Sequence, residues 1–151
     1  NVLANAQESI YFMAYSFTSD DISSVLQERA ANGVTVAGVM DNSQVLSNQG
    51  GEFDVLDSAV LIDVRKDGLD GLMHHKVFII DEQIVITGSY NFSASAEERN
   101  DENVLIIYNT DIAREFLKEF WRVQAEAVVT PLTTPTSGTP PPPEETQSPD
   151  V

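Results

Sequence analysis

Near its start the chain holds two apolar runs of strand length, Ser9 to Phe17 (SIYFMAYSF) and Val34 to Met40 (VTVAGVM), joined by a segment with helical spacing. Thr18 and Ser19, followed by Asp20-Asp21, supply caps and first-turn acids for a helix. Ile22, Val25, Leu26 and Ala30 recur on one helical face, and Asn32-Gly33 ends it. A strand, a helix and a second strand in this order imply parallel pairing with a right-handed crossover. That one arrangement restricts the chain to an α/β architecture. Residues 1 to 7 read as the end of a helix that began upstream. A chain opening at Asn1 without methionine reads as an excised or processed fragment.

The later segments extend the same plan. Asp41 to Gly51 is a polar loop with one helical turn, Ala59 to Val64 a third strand, and Lys66 to Gly71 a turn-rich connection. His74 to Ile80 and Ile84 to Thr87 form a hairpin across Asp81-Glu82-Gln83, and Asn103 to Tyr108 is a further strand. Asp111 then caps a long amphipathic helix reaching Ala127, with Ile112, Phe116, Phe120 and Val123 on one face. The expected fold is an α-β-α sandwich around a mixed sheet, occupying residues 1–129. All seven prolines fall between Pro131 and Pro149, so residues 130–151 form a Pro/Thr-rich tail expected to be disordered.

Chemistry concentrates in HHKVFIIDEQIVITGSYN. In a strand, alternation places His74 and Lys76 on one face and His75 on the other. A neutral imidazole can attack phosphorus, and an ammonium beside it can hold a non-bridging oxygen. Asp81 falls on the opposite face by strict alternation and is expected to support the hairpin or the fold rather than touch substrate. Gly88 permits close backbone approach, and Ser89 and Asn91 share a face from which a hydroxyl and an amide can donate to phosphate oxygens. His75 reads as a packing or locally hydrogen-bonded residue, since adjacent histidines facing opposite ways make a poor metal site. Phe116, Phe120 and Trp121 read as helix-face core, and Asp20-Asp21 and Glu97-Glu98 as solvated acids.

The residues His74, Lys76, Asp81, Gly88, Ser89 and Asn91 stand at H-x-K-x4-D-x6-G-S-x-N, and at these positions the chain resembles the phospholipase D superfamily. Six specified residues at set spacing arise by chance at on the order of one in 10^8 per starting position, so the spacing carries the resemblance. The SIYFMAYSFT and ERNDENVLII segments extend it over nearly all of residues 1 to 127. The resemblance implies a metal-independent and cofactor-free phosphodiester hydrolase in which His74 forms a phosphohistidine. It also implies an acid that orients the imidazole, best matched here by Glu102 with Asp101 beside it. The implied catalytic set is His74, Lys76, Asn91 and Glu102. Lys76, Ser89 and Asn91 hold the phosphate, and Asp81 and Gly88 give structural support.

The resemblance also implies a two-step reaction in which two imidazoles flank one phosphate in opposite protonation states, yet the chain holds a single H-x-K. A second motif must come from an identical chain across a two-fold axis or from an upstream homologous half. Charge bears on the substrate. The chain has 24 acids against 8 bases, and only Glu144, Glu145 and Asp150 of those acids lie in the tail. An acidic body without a basic stripe repels polyanions, which modestly favours a phospholipid over nucleic acid. An endonuclease of the same superfamily is the alternative, and a non-catalytic half-domain partnering another subunit a third. The chain has no cysteine, hence no disulfide, and no apolar run long enough to span a membrane. The Pro/Thr tail resembles bacterial surface linkers and so suggests an exported or cell-surface location.

Overall fold

The computed structural model describes residues 2–47 and 51–127. The tail expected over 130–151, and the last residues of the domain expected to end at 129, lie outside them. Six strands form one mixed sheet in the order β3-β2-β1-β4-β5-β6. They are β1 Ser9–Ala14, β2 Thr35–Met40, β3 Ile62–Lys66, β4 Lys76–Ile80, β5 Ile84–Gly88 and β6 Val104–Tyr108. β1, β2 and β3 run parallel, with Ala14 opposite Met40 and Met40 opposite Lys66. β4 reverses against β1, pairing Lys76 with Ala14, and β5 and β6 continue the antiparallel series.

Helix α1 (Asp20–Ala31) begins where Ser19 Oγ accepts from the Ile22 N–H at 3.4 Å, with Asp20 and Asp21 in its first turn. It ends at Asn32, and Gly33 turns the chain at φ +90°, a conformation that only glycine adopts without steric cost. Leu26 and Ala30 of α1, with Phe53 and Leu56 of α3 (Phe53–Asp57), close one face of the sheet over Ile10, Phe12, Phe78 and Ile80. On the other face, α5 (Thr110–Glu126) packs Ala113, Leu117, Phe120 and Val123 over Met13, Val39, Ile79 and Val85. Alternate residues of β4 thus enter opposite cores, as period-two geometry requires. Two short helices complete the order, α2 (Asn42–Ser47) and α4 (Ala94–Glu98).

Several expectations need correction. The helix end expected over residues 1 to 7 is a 3-10 turn, Leu3–Asn5. The third strand starts at Ile62 rather than Ala59, because Ala59 and Ile62 close turns onto Leu56 and Ala59, leaving Val60 98% exposed. The segment before it holds α3, which the sequence reading had not assigned. β1 stops at Ala14, and Tyr15 to Phe17 leave the sheet, Phe17 forming an isolated bridge with Phe92. The cap of α5 is Asn109, whose Oδ1 accepts from Asp111 and Ile112 N–H at 3.0 Å each; Asp111 sits in the first turn instead. Ile112 is exposed on α5, and Trp121 is 48% exposed while stacking edge-on against Tyr11 and Phe120. Among the described residues no helix is long and apolar enough to cross a membrane.

Candidate active site

The ends of β1, β2 and β5 meet the starts of β4 and β6 at one edge of the sheet, where chain directions alternate and loops gather. His74 lies just before β4, exposed, in a segment that continues the ladder by one bond: the Tyr15 N–H donates to the His75 carbonyl at 2.8 Å. His74 and Lys76 therefore point to the same side. The Lys76 Nζ stands 3.3 Å from His74 Nε2 and 3.4 Å from Nδ1, and donates to the His74 carbonyl at 3.1 Å. His75 points the other way, its Nε2 3.2 Å from Glu119 Oε1 on α5.

Lys76 is 8% exposed, and burial pulls its pKa below the ordinary lysine value, a shift that the Glu102 carboxylate offsets in part. Glu102 takes its own hydrogen bonds from the Ser89 hydroxyl and from Asn100 Nδ2, the latter at 3.0 Å. These two donors, with Lys76 adding to them, hold its pKa below the usual carboxylate range. Ser89 also accepts from the Asn103 N–H at 3.0 Å. Its hydroxyl is thus committed to Glu102, and Glu102 reaches Ser89 and Asn100 rather than the imidazole.

This approach depends on Gly88. A β-carbon there would stand 2.1 Å from the Asn103 carbonyl oxygen, so a side chain would push β6 and Glu102 away. The next residues are tied across to the end of β1: Thr18 N–H donates to the Phe92 carbonyl at 2.8 Å and Phe92 N–H to the Ser16 carbonyl at 3.1 Å. Asn91 is carried to the same edge by these ties, and its Oδ1 is buried without a hydrogen-bond partner among the described residues. An orphaned buried amide oxygen is unusual enough to mark a place where another group belongs.

Asp81 is at the far end of the hairpin. Its carboxylate accepts from the N–H groups of Gln7, Glu8 and Ser9 at 2.8 to 3.1 Å, fastening the turn to the chain entering β1. Asp81 and Glu82 both have positive φ, 50° and 54°. The structure therefore brings together His74, Lys76, Gly88, Ser89, Asn91 and Glu102 at one edge and leaves Asp81 at the other.

Three residues at this edge escaped the sequence reading. The Tyr15 ring lies 4.4 Å from the His74 ring, centroid to centroid, and 4.9 Å from Lys76 Nζ. Gln44 Nε2 donates to the Tyr15 hydroxyl at 3.1 Å. Asp41, 1% exposed, accepts from the Met73 and Gln44 N–H groups at 2.9 Å each, and from the Ser43 hydroxyl. The available signal was position, since Tyr15 and Asp41 follow directly on the carboxyl ends of parallel strands and Gln44 lies in the short helix after the second. Beside Lys76, a groove of about 500 Å³ runs over Phe78, Ile86, Tyr90 and Val104 toward Ile22. Burial and the Glu97 carboxylate push the Tyr90 phenol up to about 12.

Fold and motif together define a phospholipase D-type domain, with the motif running from one edge of a mixed sheet. Residues 1–124 match the family described as "Cardiolipin synthase, PLD-like domain", and the chain belongs to this phospholipase D-like family. It is 40% identical over 120 residues to a phospholipase D of Rickettsia conorii, covering 80% of this chain and 59% of that protein. It is 36% identical over 124 residues to the mitochondrial cardiolipin hydrolase of Mus musculus, covering 82% and 55%. The chain thus spans little more than half the length of these curated relatives. Among solved structures, NucT from Helicobacter pylori superposes with a TM-score of 0.79 at 29% identity, covering 83% of this chain and 84% of that one. Nuc from Salmonella typhimurium, a phospholipase D family member, gives 0.77 at 32% identity, covering 83% and 84%.

Proposed function

We propose that the chain is a phosphodiesterase in which His74 is the nucleophile and no metal takes part. The observation that carries this is the His74–Lys76 pair, an exposed imidazole whose ring nitrogens stand 3.3 and 3.4 Å from a buried ammonium in a chain of this family. In the first step a ring nitrogen of His74 attacks phosphorus, the P–O bond to the leaving alcohol breaks, and a second imidazole gives that alcohol its proton. In the second step the same imidazole takes a proton from water, the oxygen attacks phosphorus, and the P–N bond to His74 breaks. Lys76 holds a non-bridging oxygen, and Ser89 and Asn91 line the approach, where the amide Nδ2 of Asn91 can donate to a phosphate oxygen. Glu102 acts through Ser89 and through its field on Lys76.

The second imidazole belongs to a second motif, brought by a two-fold related copy or by a homologous half of the parent protein. A phospholipid is the favoured substrate class: the chain carries net charge −16, and the groove beside Lys76 has apolar walls. The test is parallel turnover of phospholipid vesicles and plasmid DNA with EDTA present, followed by a denaturing alkaline quench that preserves an acid-labile phosphoenzyme. Turnover of vesicles with label on His74 is the expected result. Loss of activity in EDTA overturns the metal-free mechanism, and DNA cleavage without lipid turnover transfers the assignment to the endonuclease reading.

A further inference from the structure

We infer that Tyr15 is a positioning residue for the His74 imidazole, braced from behind by Gln44 and Asp41. This rests on the reading of His74 as nucleophile. His74 is exposed, and among the described residues its ring makes hydrogen-bond contact with Lys76 alone. An exposed imidazole held by one flexible ammonium samples several rotamers, and few of them aim a ring nitrogen in line with a scissile bond. The ring also packs against that of Tyr15, with centroids 4.4 Å apart and planes tilted by 56°. The same Tyr15 ring also lies 4.9 Å from Lys76 Nζ. One aromatic surface therefore sets the relative placement of nucleophile and cation.

The surface is itself fixed. The Tyr15 hydroxyl accepts from Gln44 Nε2, and the Gln44 N–H donates to Asp41 Oδ1. The other Asp41 oxygen accepts from the Met73 N–H, the residue before His74, while the Tyr15 N–H donates to the carbonyl of His75, the residue after it. The backbone on both sides of His74 and the ring against which it rests are thus tied to one buried carboxylate. Such a closed set of bonds resists the small displacements that detune an in-line attack. It also accounts for a fully buried aspartate that makes no ion pair among the described residues.

The test uses bis(p-nitrophenyl) phosphate as a chromogenic diester, with Tyr15→Leu, Tyr15→Phe, Gln44→Leu and His74→Asn compared in kcat and KM. Tyr15→Leu is expected to lower kcat about 100-fold with KM changed less than about threefold, the size of effect that a misplaced reacting group produces. Tyr15→Phe keeps the ring and is expected to stay within about fivefold of wild type, with Gln44→Leu similar. Proton NMR supplies a readout independent of turnover: the His74 ring protons carry a ring-current shift that persists in Tyr15→Phe and collapses in Tyr15→Leu. Should Tyr15→Leu fail to fold, Tyr15→Met removes the ring with an unbranched side chain and is read through the same shift and kcat. A folded Tyr15→Leu with wild-type kcat beside an inactive His74→Asn overturns the positioning role and leaves the nucleophile in place. A rise in KM alone overturns it in favour of substrate contact. Full activity in His74→Asn removes the underlying mechanism, and this role with it.

Discussion

The two ends of the β4–β5 hairpin carry the same motif and do different work. At one end His74 and Lys76 converge with Ser89, Asn91 and Glu102, with a buried cation and an orphaned amide oxygen. At the other end Asp81 spends its carboxylate on three backbone N–H groups and sits at positive φ. Holding two non-glycine residues in left-handed conformation costs about 1 kcal/mol or more each, and the carboxylate's bonds offset it. On the proposed reading, fixed spacing in the motif mixes groups set by reactivity with groups set by architecture. The strand between them keeps the two sets a constant distance apart.

The comparison can be broken in four ways. His74→Asn should cost at least about 10^4-fold in kcat while chemical denaturation shows a stability change under about 0.5 kcal/mol, because the side chain is exposed. Lys76→Met should lower kcat by about 10^2 to 10^3-fold and leave stability unchanged or raised, since it removes a desolvated cation from an otherwise packed position. Asp81→Ala should do the reverse, losing about 2 to 3 kcal/mol in urea titrations with kcat within about twofold well below the melting temperature. Catalytic collapse in Asp81→Ala, or unfolding in His74→Asn, would erase the division.

The smallest effect concerns the opposite face of the same strand entry. Glu119, next to Arg122 and His75, has its pKa held down to about 2, Arg122 contributing most. A depressed carboxylate pKa stabilises above the ordinary range near 4.3 and loses that stabilisation as pH falls toward the folded value. Glu119→Gln should therefore be less stable than wild type near pH 6 by under about 1 kcal/mol, the Glu119 and Arg122 side chains being 34% and 49% exposed and so screened. The difference should vanish as acid titration approaches pH 2, with kcat unaffected throughout.

Much of this was legible before any coordinates. Period two placed His74 with Lys76 and apart from His75, and the strand–helix–strand order gave the parallel β1–β2 pair. What escaped was whatever depended on tertiary neighbours. Tyr15 looked like one more aromatic in an apolar run, because nothing local shows that β1 ends at Ala14 and turns its ring toward His74. Asp41 looked like the first residue of a polar loop, since its bond to Met73 spans 32 residues. Glu102 was expected to orient an imidazole, and nothing local shows that within this chain it takes its hydrogen bonds from Ser89 and Asn100, an approach that Gly88 permits. The start of β3 was misread because Val60 and Leu61 are apolar yet sit in an exposed turn.

β6 closes the sheet on the side of the site and has β5 as its only strand partner among the described residues. Its Ser89–Asn103 and Gln83–Asn109 backbone bonds set the alternation, so the amides of Leu105 and Ile107 point inward and those of Val104, Ile106 and Tyr108 point outward. In a hydrogen-exchange experiment the strand would read as a comb, with protected and unprotected teeth alternating along five residues. Because its side chains also stay exposed, 47 to 71% for Val104, Leu105, Ile106 and Tyr108, that comb is a sensor. Anything that lays a strand along this edge would silence the open teeth, and would do so one residue away from Asn103 and the glutamate beside it.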